Sequence, residues 1–369
     1  MLILRVDFQP IVAEDNTEKM AKKIGLEIVN RESPGFSRKK LKEGFEYFSP
    51  QKKVVKNSKI VERIENLRIP PAWEDVWVCE KENGHLQAVG RDVKNRMQYI
   101  YHPLWIKLRS EAKFDKMIPF AKSLHLIRKQ YEKDLLQEKM TKSKVIGIVI
   151  KLMDTTFIRI GSEEYAQKNE TYGLSTLKEK HMKVIKGKDA EGELDIVFEF
   201  KGKSGKSWIR KIEDDAFAKM IIDAGKVGGN IKEQDLFMFE DENGIARDLK
   251  AEQVNEYLAN ITGEKFSAKD FRTWGATYLA GKNLSEMEYL EAEKGRKKNV
   301  TKMVKSVAEV LGNTPAVCRG SYIHPSVIDD YVGGDFQNKW EDAIKSSAKI
   351  RIKLNREEKI MLHYLERSN

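Results

Sequence analysis

The chain has 369 residues, 34% charged and 40% hydrophobic, which is long and apolar enough for two packed domains and rules out a disordered chain. Lysine and arginine total 67 against 57 acidic residues, and the net charge of +10 favours a polyanionic partner, nucleic acid before a membrane surface. The two cysteines, Cys79 and Cys318, lie far apart and argue against a disulfide framework; no stretch reaches the roughly 18 apolar residues of a membrane span, and residues 1–7 lack a secretory leader's basic start, so a cytoplasmic protein is expected.

Residues 1 to about 30 read as a short strand and a helix, within an extension, residues 1–34, of uncertain role. Phe45, Tyr47 and Phe48 alternate with polar residues as a strand does, and a helix is expected over 58–67, ending before Pro70-Pro71. Two apolar runs, Val76/Val78 and Leu86/Ala88/Val89, flank Asn83-Gly84, a strong hairpin signal. Arg91, Lys94, Arg96, Gln98, Tyr99 and Tyr101 then share one strand-and-turn unit. That mixture suits phosphate neutralisation with contacts to base edges; it equally suits a solvated hairpin with core tyrosines.

From 104 to 140 the pattern is helical and charged, broken only by Pro119, and the domain boundary is placed near residue 107: an amino-terminal domain over 1–107 and a second over 108–369. Helices are expected over 145–160 and 168–184. A strand over 194–200 and its return from Ser207 flank a basic hairpin tip carrying Lys201, Lys203 and Lys206. Further helices are expected at 212–224, 233–239, 251–261, 267–281, 284–292 and 300–311, with a mobile loop at 294–299 and a helical, basic tail from Asp335. Gly312 ends one helix, and Thr314-Pro315 caps and starts the next, placing Tyr322 about two turns on, before His324-Pro325.

Gly202-Lys203-Ser204 and Gly205-Lys206-Ser207 resemble the end of a P-loop, but the glycine required five positions earlier is Val197 or Phe200. Gly225, Gly228 and Gly229 make no dinucleotide fingerprint. The six histidines (His85, His102, His125, His181, His324, His363) include no pair at metal-ligand spacing. No nucleotide, cofactor or metal is therefore expected.

What remains is a set suited to phosphodiester transesterification by tyrosine. A phenol of pKa near 10 needs help to attack, the charged transition state favours bidentate guanidinium donors, and the departing oxygen needs a proton. Tyr322, Arg159, Arg272, Lys203 and Asn313 supply one such set. Singly, each has a plainer reading: Arg159 has Glu163 and Glu164 nearby, and Lys201 or Lys206 stands beside Lys203 as an alternative acid.

Seven motifs in order, from about residue 35 to 330, resemble the type IB DNA topoisomerases of the compact poxvirus and bacterial kind. They are GFSRKK (35–40), RIPPAWEDVW (68–77), GRDVKNRMQYIY (90–101), FIRIGSEEY with NETYGL (157–165, 169–174), FKGKSG (200–205), KDFRTWGA (269–276) and GNTPAVCRGSYIHP (312–325). The resemblance implies an α+β architecture shared with tyrosine recombinases. A small β-rich amino-terminal domain would precede a larger, mostly helical catalytic domain with a small sheet, the two closing around double-stranded DNA. It implies that Tyr322 forms a 3′-phosphotyrosyl link, that Arg159 and Arg272 hold the scissile phosphate, and that Lys203 protonates the leaving 5′-oxygen. It further implies that Gln98, Tyr99 and Tyr101 meet the major groove, and that a monomer relaxes supercoils without ATP or metal, at the nucleoid if the source is bacterial. Arg91, Lys94, Arg96, Lys201, Lys206 and Lys269 join the expected DNA contacts. Asn313 stands where viral and nuclear members carry histidine; it can donate a hydrogen bond but cannot pass a proton. Two alternatives remain. A tyrosine recombinase usually has a histidine three residues before the second arginine, where this chain has Lys269, and a non-catalytic duplex-binding protein would form no covalent adduct.

Overall fold

The computed structural model describes residues 14–186, 194–229 and 231–368, and the chain divides into two compact units between Phe114 and Asp115. The boundary anticipated near residue 107 falls inside one continuous helix, Pro103–Asp115. Residues 1–13, part of the stretch to about residue 30 expected to hold a short strand and a helix, lie outside the described residues.

The first unit opens with α1 (Glu14–Lys23) and holds β1 (Gly35–Lys40), β2 (Phe45–Phe48), α2 (Ser58–Asn66), β3 (Glu74–Cys79), β4 (Leu86–Arg91) and β5 (Met97–Tyr101), with α3 (Pro103–Asp115) leading out. The strands form one antiparallel sheet in the order β2-β1-β3-β4-β5. Phe36, Tyr47, Ile64, Trp73, Val76, Val78 and Ala88 form its main core, each large apolar side chain worth about 1.5–3 kcal/mol when fully buried. Two of the motifs meet here: Arg38 donates to the carbonyls of Ile69, Pro70 and Trp73 at 3.1, 2.9 and 2.8 Å, so GFSRKK fixes the Pro-Pro loop. The hairpin signalled by Asn83-Gly84 forms, but through a longer connection over residues 80–85. Gly84 serves there by close approach, since a Cβ would lie 2.6 Å from Cys79 Sγ.

The second unit begins with α4 (Met117–Leu135) and α5 (Lys142–Thr156). Val145, Ile146, Ile148, Val149, Ile150, Leu152 and Met153 are all buried, so α5 is covered over most of its surface and central. Thr141 caps its start by accepting from Lys144 N, and Phe157 ends it in the left-handed conformation. There follow α6 (Glu163–Asn169), β6 (Met182–Lys186), β7 (Leu194–Lys201) and β8 (Ser207–Ile212), the strands forming a sheet in the order β6-β7-β8. The rest is α7 (Asp215–Lys226), the small pair β9 (Met238–Glu240) and β10 (Ala246–Asp248), α8 (Ala251–Thr262), α9 (Ala268–Ser285), α10 (Glu293–Val310), α11 (Pro315–Ser321), α12 (Pro325–Gly333), α13 (Phe336–Ser347) and α14 (Arg356–Ser368). The architecture is α+β, with a β-rich first unit and a mostly helical second one.

Several sequence expectations differ from these elements. The helix expected over 168–184 is instead the end of α6, two 3-10 turns and β6, because Met182–Lys186 pairs with β7 and tertiary pairing overrides a weak local pattern. The helix expected at 233–239 is replaced by buried Leu236-Phe237 running into the β9–β10 hairpin. The helix expected at 284–292 is the end of α9 and a turn. The expected loop at 294–299 is the beginning of α10, whose exposed first turns show no apolar stripe but are held by a Glu293–Lys297 ion pair and by Arg296 on the carbonyls of Leu290, Glu291 and Val332.

α9 is the axis of the second unit, with Phe271, Arg272, Trp274, Ala276, Thr277, Ala280 and Leu284 buried. It is tied to the carboxyl-terminal helix by a buried cluster. Arg128 of α4 makes paired bonds of 2.7–2.9 Å to Asp154 and Glu358, and Trp274 Nε1 donates to Glu358 at 3.3 Å.

Candidate active site

The site gathers on three segments that lie at or near helix ends. At the first, α5 stops at Phe157, and Arg159 leaves in extended chain whose carbonyl accepts from Leu174 N at 2.8 Å, so NETYGL braces FIRIG. At the second, α9 carries Arg272, only 2% exposed, with Lys269 one turn before it. At the third, α10 ends at Gly312 and Thr314 caps α11 by accepting from Val317 N at 3.3 Å, with Pro315 in the first turn. Tyr322 terminates this short helix and is 9% exposed. Its carbonyl accepts from Thr277 Oγ1 at 3.1 Å, and the same hydroxyl accepts from His324 N at 3.0 Å, so α9 fixes the chain on both sides of the tyrosine.

These segments bring four of the expected catalytic residues together. The Arg272 guanidinium lies over the Tyr322 ring, 5.0 Å from its centroid, and is held there by bonds to the carbonyls of Phe157 and of Leu311, the latter at 2.8 Å. Arg159 Nη2 donates to Asn313 Oδ1, which turns the Asn313 amide nitrogen away from the arginine. Among the described residues, Asn313 Nδ2 and Arg272 Nε are buried and have no hydrogen-bond partner. A native structure seldom leaves such donors unmet, and here both belong to the group around one phenol.

Electrostatics follow from that geometry. Burial alone would raise the Tyr322 pKa, but the charges of Arg272 and Arg159, with help from Lys269, outweigh it and bring the phenol down to about 8. Burial and the neighbouring Arg159 bring Arg272 down to about 10, which leaves it a cation at neutral pH. Burial pushes the Cys318 thiol up to about 12, leaving it unreactive beside the site.

The fifth expected residue stands differently. Lys203 is exposed at the β7–β8 tip, with its ammonium 5.9 Å from the Tyr165 ring centroid, whereas Tyr322, Arg272 and Asn313 are buried. Lys206 of the same tip is half-buried and donates to the Asn313 carbonyl, while Lys201 is exposed and its carbonyl accepts from Tyr172 N at 2.8 Å. Sequence reasoning missed Thr277, which looks like one more small residue of a helix, and Trp208, read only as the start of a strand.

In the first unit, Asp92 organises the β4–β5 turn. It accepts from the backbone of Lys94 and Arg96 at 2.9 and 3.0 Å, from Arg96 Nε and Nη2 at 2.9 and 2.6 Å, and from Gln98 Nε2 at 3.1 Å. The Arg96 contact chiefly holds the Asp92 carboxyl at about 2. Arg91 lies 3.7 Å from Asp75, and Lys94 is exposed. Tyr99 is exposed and stacks on half-buried Tyr101, with centroids 6.1 Å apart.

Comparison with known proteins gives a consistent result. Residues 105–348 match the family model for the catalytic core of eukaryotic DNA topoisomerase I, and residues 44–92 match that for the amino-terminal domain of bacterial DNA topoisomerase IB. The chain is 33% identical over 300 residues to DNA topoisomerase 1B of Acanthamoeba polyphaga mimivirus, covering 80% of this chain and 87% of that protein. It is 26% identical over 276 residues to DNA topoisomerase 1B of vaccinia virus (strain Copenhagen), covering 73% and 81%. The fission yeast Schizosaccharomyces pombe DNA topoisomerase 1 matches at 26% over 199 residues, or 53% of this chain and 22% of that protein.

Proposed function

The chain belongs to the type IB DNA topoisomerase family, and on that premise we propose that Tyr322 is the nucleophile that cuts and reseals one strand of duplex DNA. The observation that carries the assignment is the Arg272 guanidinium over the buried Tyr322 ring, with the Arg159–Asn313 pair beside it and a phenol brought down to about 8. At pH 7 roughly one molecule in ten then has a phenolate there, against about one in a thousand for an ordinary tyrosine.

The phenolate oxygen attacks phosphorus, having lost its proton to water. The Tyr322 Oη–P bond forms and the bond from phosphorus to the 5′-oxygen breaks. Arg159 and Arg272 offer guanidinium donors to the non-bridging oxygens, where charge concentrates, and the unpartnered Asn313 Nδ2 and Arg272 Nε are suited to the same oxygens. We assign the proton taken by the leaving 5′-oxygen to the Lys203 ammonium. The 5′-hydroxyl strand turns about the intact one, and the steps reverse to reseal it. Since the bond energy is kept in the phosphotyrosine, neither ATP nor a metal is required. Arg91, Lys94, Arg96, Gln98, Tyr99, Tyr101, Lys201 and Lys269 are proposed to meet the duplex, with Lys206 also fixing the Asn313 turn, and one molecule to act as a monomer.

The test is relaxation of a supercoiled plasmid by purified protein with excess chelator and no nucleotide. A ladder of topoisomers that disappears with Tyr322→Phe is expected. Site-restricted joining of DNAs without a ladder would mean recombination instead.

A further inference from the structure

We propose that Trp208 is a positioning residue that sets the acid-bearing β7–β8 hairpin in register with the Gly312-Asn313 turn. This rests on the reading of Lys203 as the general acid. Trp208 lies on β8 and is 3% exposed. Its indole is approached by two glycines so closely that a Cβ at Gly202 would lie 2.6 Å from Nε1, and one at Gly312 would lie 2.2 Å from Cζ2. Gly202 immediately precedes Lys203, and Gly312 immediately precedes Asn313. One ring therefore packs against the residue before the acid and the residue before the phosphate-binding amide. Gly312 also has φ +59°, so both the bend and the close approach exclude a side chain there.

The neighbours of the ring keep this contact fixed. Phe200 stacks on Trp208 at 6.0 Å between centroids and 13° between planes, with His181 6.4 Å behind Phe200 and Tyr172 4.4 Å from His181. The Arg210 guanidinium lies 4.5 Å from the Trp208 ring centroid and donates to the Val310 carbonyl at the end of α10. With Lys206 on the Asn313 carbonyl, the hairpin has three attachments to the α10–α11 junction: Trp208, Arg210 and Lys206. Trp208 touches none of the reacting atoms; it acts by fixing where the short tip holding Lys203 leaves the sheet.

A substrate in which sulfur replaces the leaving 5′-oxygen separates positioning from general damage. The P–S bond breaks to release a thiolate that needs no proton, so this substrate is indifferent to the acid. With the ordinary substrate, Trp208→Ala and Trp208→Leu are expected to slow single-turnover cleavage roughly 10- to 100-fold, a part of the 10²–10⁴-fold range of general acid catalysis. With the sulfur substrate both variants should come within about threefold of the parent protein, by the same reasoning that proton transfer no longer limits. Trp208→Leu covers the case in which Trp208→Ala fails to fold, checked by circular dichroism. Equal loss on both substrates, with Lys203→Ala rescued by sulfur, overturns the proposal for Trp208 alone. If Lys203→Ala is not rescued, the acid assignment fails and the positioning role falls with it.

Discussion

Removing the Arg159 charge should move the titration of Tyr322, and the shift can be sized from the structure. A phenol lowered from 10 to about 8 despite burial reflects about 3 kcal/mol of net preference for the phenolate. Arg272 contributes the larger charge and Arg159 the next. An opposite charge at close range moves a pKa by about 1–3, so Arg159→Ala should raise the midpoint by about one or more, while Arg159→Lys should restore part of the fall. The assay is ultraviolet titration of tyrosinate in the free protein, taken as the difference between each protein and its Tyr322→Phe counterpart. Burial pushes Tyr131, Tyr257 and Tyr278 above the ordinary range, so they stay protonated through this window. On the proposed role of the Tyr322 phenolate as the attacking form, the logarithm of the single-turnover cleavage rate should rise with unit slope and level off near the same midpoint. A midpoint at or above 10 in the parent protein, or one that Arg159→Ala leaves unchanged, refutes the electrostatic argument.

Lys203→Ala should slow cleavage by roughly 10²–10⁴-fold with little change in DNA affinity measured by filter binding, since one exposed tip ammonium is a small share of the contacts. Asn313→Ala should cost less than either arginine, about tenfold, because a neutral hydrogen bond is weaker than a charged one, and single-turnover rates compare them directly. No histidine limb near pH 6.5 is expected in the cleavage rate; a limb abolished by replacing one histidine contradicts this. Glu358→Gln removes one of the two carboxylates on Arg128 and leaves its pair with Asp154, so it should destabilise the fold by about 1–3 kcal/mol in urea unfolding. Although burial alone would raise it, the bonds from Arg128 hold the Glu358 pKa below its ordinary value, so its stabilisation is present above about pH 4.5 and is lost as pH falls through the lower folded value.

Much of the site was legible in the sequence because its parts are local motifs with strong turn chemistry. Gly312 and Thr314-Pro315 fix the bend before Tyr322, and the arginines sit in short runs whose order in the chain is informative. What escaped was non-local. β6 exists because β7 pairs with it, and the first turns of α10 are anchored by Arg296 on the distant carbonyl of Val332 rather than by an apolar face. Thr277 and Trp208 matter through what folding brings to them, a tyrosine carbonyl in one case and two glycine backbones in the other. No spacing along the chain encodes either contact.

The most direct test of the central claim is to trap the cleavage intermediate. Duplex DNA labelled at the 5′ end of the cut strand is incubated with the protein, the reaction is denatured, and the protein-linked label is mapped by proteolysis. The account predicts a covalent adduct on the peptide that contains Tyr322 and none with Tyr322→Phe. A label on another residue, or an adduct that survives Tyr322→Phe, contradicts it.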